Sequence, residues 1–245
     1  MADSGKRGGR PSRVERADRQ VNAGHSRALD VALAKTESKI RNMKTERVYA
    51  YDKNGKEIAH SNSGTNNRTA LPEGNYKDSI VTHNHPNKGI GNTIAGRVGT
   101  VLSGADIYMA IASNVSEIRN VTKTYTYSLK RPKNGWGISK SQAYDEFGKK
   151  SSNWKKTLRG KQNEYLAKSG VRDKLFSEAF SLSKRRQDII ANPSESKIKR
   201  YNKDVQANQR RGTEITDRYN VGVQYSVMKE YAKKYGWSLT RKRTV

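Results

Sequence analysis

The stretch DSIVTHNHPN, residues 78–87, places two of the chain's four histidines one residue apart and directly before a proline. Its β-branched residues predict a strand, which ends at Pro86 because proline has no backbone N–H to donate. Side chains two apart on a strand point to the same face, so the imidazoles of His83 and His85 lie side by side. Neutral imidazole is a good zinc ligand, so the pair predicts a metal site. The alternative is a polar turn at the end of a strand.

Helix and strand patterns alternate on both sides of this strand. The other predicted elements, in chain order, are a helix over about 26–44, a hairpin over 46–61 around the turn DKNGK, an ordered loop over 62–77, a Gly-rich loop over 87–101, a short helix over 103–114 and one or two strands over 117–132. From residue 139 onward long charged helices follow, the last over about 213–235, and then a final strand in GWSLTRKRTV. This order predicts an α/β protein of the α+β kind, with a mixed sheet and flanking helices.

Three regions of different composition divide the chain. Residues 1–23 are rich in Gly, Arg and Ser and have almost no large apolar side chain, which predicts a disordered basic arm. Residues 24–132 contain the predicted α/β core. Residues 133–245 form a basic, mainly helical extension, whose helices carry many charged side chains.

Positive charge dominates the composition, with 49 Lys and Arg against 23 Asp and Glu and a formal net charge of +26. A field of this sign attracts polyanions, so DNA or RNA is an expected partner, bound through the arm and the extension. The sequence has no apolar run long enough to span a membrane and no apolar stretch of the kind that a secretory signal has. Because cysteine is absent, disulfides and thiolate metal sites are excluded, which predicts an intracellular protein whose metal ligands are His, Asp or Glu.

Two further patterns bear on metal chemistry. Ser103 and Asp106, at the start of a predicted helix, are an ordinary capping pair. An aspartate in a first helical turn can also supply a third ligand to a nearby metal, and the two interpretations are compatible. Glu46 begins the first predicted strand, and a hydrolytic metal site needs a carboxylate outside its ligand set to take a proton from water. Glu57, across the hairpin turn, is the other candidate, and either is a solvated acid if no metal binds.

Taken together, Glu46, the segment HNHP at 83–86 and the segment SGAD at 103–106 resemble the JAMM motif of the MPN-plus metalloproteases. That family includes deubiquitinating isopeptidases and, among bacterial and phage relatives, RadC-like proteins in which the segment also reads HNHP. The resemblance covers about residues 45–130 and implies an MPN-like core, of the cytidine-deaminase-like kind. Two features depart from the family's pattern, namely a longer Gly-rich loop before Ser103 and a loop in place of the usual helix before the H-x-H strand.

The resemblance implies a role for each of these residues. His83, His85 and Asp106 would bind Zn²⁺, Ser103 would help to stabilise an oxyanion, and Glu46 would be the general base. The implied reaction is zinc-dependent hydrolysis of an amide in a protein or peptide substrate. Together with the basic regions, it suits a phage or mobile-element protein that is found in the host cytoplasm or carried in a virion.

Two other functions stay open. The core is either a non-catalytic scaffold of a DNA- or RNA-binding or virion protein, or a metal-dependent nuclease, since H-x-H sites with carboxylates also cut phosphodiesters. Aromatic residues interleave with the basic residues of the extension and serve either to stack bases or to form its core. The basic residues expected to contact nucleic acid are Lys155, Lys156, Arg159, Lys184, Arg185, Arg186, Arg210, Arg211, Arg241, Lys242 and Arg243.

Overall fold

The computed structural model describes residues 24–65, 68–86, 101–150, 152–168, 170–218 and 222–244. The arm predicted over 1–23 and nearly all of the Gly-rich loop predicted over 87–101 lie outside the described residues. Within the described residues the protein is mixed α/β, with one sheet of six strands and helices on both of its faces. The predicted class is therefore confirmed, whereas an MPN-like topology stays a prediction.

The helices follow the predicted order. In chain order they are α1 (Arg27–Ile40), α2 (Gly104–Ala112), α3 (Lys140–Ala143, continued by a π-helical turn over Tyr144–Gly148), α4 (Asn153–Lys168), α5 (Val171–Ala191), α6 (Glu195–Arg218) and α7 (Gln224–Tyr235). Both α1 and α2 begin at a serine cap: Ser26 Oγ accepts a hydrogen bond from the backbone N–H of Leu29, and Ser103 Oγ accepts one from that of Asp106. The helix predicted over 213–235 overlaps the end of α6 and includes α7, and residues 219–221 between them lie outside the described residues.

Six strands form the sheet in the spatial order β2-β1-β3-β4-β5-β6. They are β1 (Val48–Tyr51), β2 (Glu57–Ser61), β3 (Ile80–Asn84), β4 (Glu117–Val121), β5 (Tyr125–Lys130) and β6 (Ser238–Arg243). The predicted hairpin, the H-x-H strand, the pair of strands over 117–132 and the final strand are all present. Neighbouring strands are antiparallel except β3 and β4, which are parallel and are joined through α2.

The two faces of the sheet have separate cores, because side chains alternate along each strand. On one face Tyr49, Tyr51 and Ile80 pack against α1 through Leu29 and Leu33. The opposite face contacts α2 and the helical turns after residue 139. Its core contains Val48, Ala50, Val81, Ile107, Ile118, Tyr127, Phe147, Trp154, Met228 and Trp237.

The residues after 132 contribute to this second core. Strand β6 pairs with β5 over its whole length, and Phe147, Trp154 and Trp237 pack together against the sheet. The predicted boundary at residue 132 therefore passes through a shared core rather than between two cores. Helices α5 and α6 contact each other through ion pairs such as Arg185–Asp204 and are largely exposed. No helix among the described residues has the length and apolar character to cross a membrane.

Candidate metal centre

His83 is held at the middle of the sheet. Strand β3 lies between β1 and β4, and all five of its residues are buried. In the register of the sheet, His83 lies opposite Val48 on β1 and opposite Asn120 on β4. Its imidazole points to the face that packs against α2, with 4% of the residue exposed.

His85 lies just past the end of β3 and on the same side. Its backbone N–H donates to the carbonyl of Val121, 3.0 Å away, so the chain stays extended beside β4. The two Nε2 atoms of His83 and His85 are 3.1 Å apart, and the rings meet edge to face with centroids separated by 4.8 Å. The prediction that the H-x-H pair presents two imidazoles side by side is confirmed.

Asp106 brings a carboxylate to the same point from the first turn of α2. Its Oδ1 lies 3.4 Å from His83 Nε2, and its Oδ2 lies 3.5 Å from His85 Nε2. The same carboxylate completes a capping box, because Oδ2 accepts a hydrogen bond of 2.6 Å from the backbone N–H of Ser103. The capping and ligand interpretations of Ser103 and Asp106 are thus compatible, since in one rotamer the Asp106 carboxylate both caps α2 and faces the two histidines.

The spacing of these three donors fits a metal ion. Zinc bonds to nitrogen and oxygen of about 2.0–2.1 Å place tetrahedral ligand atoms about 3.3 Å apart. The two Nε2 atoms are 3.1 Å apart, and each lies close to a different oxygen of Asp106, His83 at 3.4 Å from Oδ1 and His85 at 3.5 Å from Oδ2. His83, His85 and Asp106 could therefore hold a metal ion, since one ligand atom from each lies within 4.8 Å of the other two.

The pKa shifts of Asp106 and His83 set the charge of this cluster. Burial by itself raises the pKa of the Asp106 carboxyl, but the two histidines outweigh it and hold that pKa well below its ordinary value. Burial lowers the pKa of His83, and the Asp106 carboxylate and Glu46 more than offset this, so that the pKa is raised overall. Asp106 is therefore ionised at neutral pH, which is the form of a carboxylate that binds a metal ion.

Glu46 borders the cavity next to these ligands. It precedes β1, and together with His83 and Asp106 it lines a cavity of about 510 Å³. The loop at Gly64 closes over it, with the Glu46 carbonyl only 2.0 Å from where a Cβ at Gly64 would lie, so that only glycine fits there. Glu57 lies instead on β2, where it pairs with His60 at 2.6 Å, and it does not border this cavity.

Asn84, the residue between the two histidines, fixes the segment that carries Glu46. It is fully buried and points to the opposite face of the sheet. Its Oδ1 accepts a hydrogen bond of 2.7 Å from the backbone N–H of Arg47, and its Nδ2 donates to the carbonyl of Thr45 at 3.2 Å. The two bonds flank Glu46 on either side. Sequence reasoning missed this role, because it depends on β1 lying beside β3.

Strand β4 supports both histidines from behind. The His83 ring makes a hydrogen bond to the backbone of Arg119, and the amide of the buried Asn120 lies 2.9 Å from His85 Nδ1. The atom of Asn120 that faces His85 Nδ1 is the amide nitrogen Nδ2. A histidine that binds a metal through Nε2 carries its proton on Nδ1, so metal binding requires the Asn120 amide to turn by 180° and present its oxygen as the acceptor. These contacts leave Nε2 of each ring directed at Asp106. No sequence signal marks Asn120, which acquires this role from the register of β4.

Replacing Asn120 by Leu should weaken zinc binding by about 10- to 100-fold, because His85 loses the partner that fixes its ring. Asn120→Asp retains an oxygen acceptor and should keep most of the affinity. Competition with a zinc-chelating dye measures both variants against the parent. Equal affinity in Asn120→Leu and the parent would show that Asn120 only fills space.

Ser103 lies at the edge of the site rather than inside the cavity of Glu46. Its Oγ accepts the capping bond from Asp106 at 3.2 Å. It borders an adjoining cavity of about 340 Å³, which also contains Trp154 and Lys155. A hydroxyl that accepts one hydrogen bond still has its own O–H to donate, so the predicted oxyanion role stays a prediction.

The residues predicted to bind nucleic acid are spread over α4, α5, α6 and β6. Ten of the eleven are exposed, and the remaining one, Lys242, is partly buried. Arg185 and Arg211 already pair with Asp204 and Glu178. Most of these side chains are therefore accessible to a partner, and their contact with nucleic acid stays a prediction.

The aromatic side chains of the extension are mainly core. Trp154, Tyr231 and Trp237 are buried against Phe147, which favours the core interpretation for them. Tyr225 differs from these three, because it is only partly buried and its ring contacts an exposed arginine.

Comparison of the chain with known proteins adds no relative. No protein-family model, curated protein or solved structure matches it. The likeness to the JAMM motif therefore rests on the sequence segments around Glu46, His83–Pro86 and Ser103–Asp106. What the described residues establish is a group of His83, His85 and Asp106 that could hold a metal ion.

Proposed function

We propose that this protein is a zinc-dependent hydrolase of amide bonds, a peptidase or isopeptidase of the JAMM type, with a basic surface that binds nucleic acid. One observation supports the proposal: His83, His85 and Asp106 each offer one ligand atom, all within 4.8 Å of one another, beside a cavity bordered by Glu46. Two imidazoles and a carboxylate, with a further carboxylate outside the set, are the donor groups of hydrolytic zinc sites.

In this proposal, Glu46, Asn84 and Ser103 have separate roles. When bound, zinc polarises the scissile carbonyl and makes water more acidic. Glu46 takes the proton of the attacking water and returns it to the leaving amine, as a general base and then a general acid. Asn84 holds the backbone on both sides of Glu46, so that the carboxylate stays at the cavity. Ser103 donates its O–H toward the developing oxyanion from the cap of α2.

The lining of the cavity favours an amide over a phosphodiester. Although the chain has 49 Lys and Arg, the described residues that line this cavity include neither. Glu46 and Glu73 add negative charge there, which repels a phosphate backbone. Val48, Leu71 and Met109 offer apolar contacts to a peptide side chain. This argues against the nuclease alternative.

Zinc content tests the proposed centre. The purified parent should hold about one zinc per chain, and His83→Ala/His85→Ala should hold none, because two of three ligands are lost. His60→Ala is the matched control, since His60 is exposed on β2 and pairs with Glu57 away from the site. Elemental analysis after reconstitution with zinc gives the result. A parent that takes up no zinc, or a double variant that takes up as much as the parent, would refute the centre.

A non-catalytic scaffold is the second candidate, favoured by the exposed basic residues of α4, α5 and α6. Such a protein would bind nucleic acid through these helices and leave peptides intact even when loaded with zinc. Testing it by removing residues 133–245 would not work, because β6, Trp154 and Trp237 belong to the core of the sheet. The full-length chain carrying single substitutions is the suitable material.

A further inference from the structure

A row of side chains joins the metal centre to the far edge of the sheet. In register, His83 on β3 lies opposite Asn120 on β4, Asn120 opposite Tyr127 on β5, and Tyr127 opposite Arg241 on β6. Paired residues of neighbouring strands share a face, so all four side chains project on the side of the metal centre. Three strand spacings of about 4.8 Å separate His83 from Arg241, a distance of about 14 Å.

Arg241 is held between two tyrosine rings. Its Cζ lies 4.5 Å from the ring centroid of Tyr225 and 4.8 Å from that of Tyr125. Tyr127 is fully buried next to them, with centroids 6.0 Å from Tyr225 and 5.9 Å from Tyr125. Ring faces attract the cation, and the Tyr127 side chain adds a hydrogen-bonding contact with the guanidinium. The guanidinium is therefore positioned in advance, and Arg241 is exposed to a partner.

The arginines at this edge have no carboxylate partner among the described residues. Arg243 follows two residues later on the same face, opposite Tyr125, and is also exposed. Among the described residues, no carboxylate lies within ion-pair distance of Arg241 or Arg243. Arg131 and Arg185, by contrast, pair with Asp78 and Asp204. The edge thus presents two arginines to an anion.

We propose that Arg241, clamped between Tyr125 and Tyr225, binds a phosphodiester group of single-stranded nucleic acid, with Arg243 binding a neighbouring phosphate. A planar guanidinium matches a phosphate through two parallel N–H bonds. The flanking tyrosines offer rings to unstacked bases, which a duplex does not present. The bound nucleic-acid strand lies on the face of the sheet that carries the metal centre, but it lies outside the cavity. The described lining of that cavity has no Lys or Arg.

Arg241→Met in the full-length chain tests the site, because methionine still packs between the rings but has no charge and no N–H donor. Binding of a fluorescein-labelled 12-mer of deoxythymidine, followed by anisotropy at several salt concentrations, should weaken about 10-fold. The slope of log affinity against log salt should become shallower by about 0.7, the value for one phosphate contact on a single strand. Arg241→Lys keeps the positive charge, so the slope of log affinity against log salt should stay unchanged. Its affinity should still fall, because lysine lacks the two parallel N–H donors of a guanidinium.

Arg27→Met is the matched control, since Arg27 is an exposed arginine at the start of α1, the helix that packs on the opposite face of the sheet. It should bind the 12-mer as the parent does. Arg243→Gln leaves the Tyr125–Arg241–Tyr225 stack in place and should also weaken binding, which keeps the test valid if Arg241→Met loosens β6. Thermal unfolding shows whether each variant is folded.

Three outcomes would overturn the proposal. The first is that folded Arg241→Met and Arg243→Gln bind like Arg27→Met. The others are a duplex of equal length that binds as tightly as the single strand, or polyglutamate that competes as well as unlabelled 12-mer. The last would mean general attraction of polyanions. The His83→Ala/His85→Ala variant should bind the 12-mer like the parent, because Arg241 needs no metal. A failure of the zinc centre is therefore distinguishable from a failure of this site.

Discussion

Glu46→Gln should lower the rate of amide cleavage by about a hundredfold to ten-thousandfold while leaving zinc content unchanged. Glutamine has nearly the same shape as glutamate but cannot take the proton of the attacking water. Glu46 lies outside the group of His83, His85 and Asp106, so the metal keeps its ligands. The measurement uses zinc-loaded protein and a mixed peptide library, with new amino termini counted by mass spectrometry, beside elemental analysis of the same samples.

Two carboxylates serve as controls for this prediction. Glu73 lines the same cavity, and Glu57 lies on β2 in contact with His60. Glu73→Gln and Glu57→Gln should retain most of the activity. If Glu57→Gln is as damaging as Glu46→Gln, the assignment of the base is wrong. If the parent itself, with zinc bound, cleaves none of the library, the scaffold candidate gains support over the peptidase.

The second large effect concerns protein stability. On the face of the sheet away from the metal centre, a buried arginine pairs with two buried carboxylates. Arg119 Nε lies 2.6 Å from Glu37 Oε1, and its Nη1 lies 2.8 Å from Glu117 Oε1. Arg119→Met leaves both carboxylates buried without this partner and should lower the free energy of unfolding by about 3–5 kcal/mol. Urea denaturation at pH 7 measures the loss. The metal centre uses only the backbone of Arg119, so a folded variant should still take up zinc.

Lowering the pH should also decrease the free energy of unfolding of the parent, through the same buried network. Burial raises the pKa of Glu117, but Arg119, His25 and Lys130 outweigh it and lower the pKa from 4.5 to about 2. A carboxyl with a lowered folded-state pKa stabilises the protein above its unfolded-state pKa and loses that contribution as pH falls toward the folded-state value. Stability on the order of 3 kcal/mol should therefore disappear between about pH 4.5 and pH 2. Denaturation curves across this range should show a flatter pH dependence in Arg119→Met.

Asp145→Asn provides the control for the buried network. Asp145 pairs with Lys149 at 2.7 Å, but both side chains are substantially exposed. Its loss should cost at most about 1 kcal/mol. Should Arg119→Met fail to fold, Ser128→Ala removes only the 2.6 Å hydrogen bond to Glu117 and should cost about 1–3 kcal/mol. A loss in either network variant no larger than that of Asp145→Asn would contradict the expected role of the buried charges.

The sequence by itself determined the pairing of His83 and His85, because that geometry is local, whereas Asp106 joined the predicted ligand group through the resemblance to the JAMM motif. Side chains two apart on a strand share a face, so the order of His83 and His85 was sufficient to place their rings together. A capping box fixes the side chain of Asp106 relative to its own helix, so its position in the first turn of α2 was also readable. The hairpin and the strands over 117–132 followed from short-range turn and alternation patterns.

The tertiary structure alone decided which residues surround those ligands. Asn84 and Asn120 act through strands distant in sequence, and their roles depend on the register of β1 and β4 against β3. The choice of Glu46 over Glu57 at the cavity depends on where the chain enters β1. The pairing of β6 with β5 brings Arg241 into the row that starts at His83. Contacts of this kind join segments that share no local pattern, so only the packed sheet specifies them.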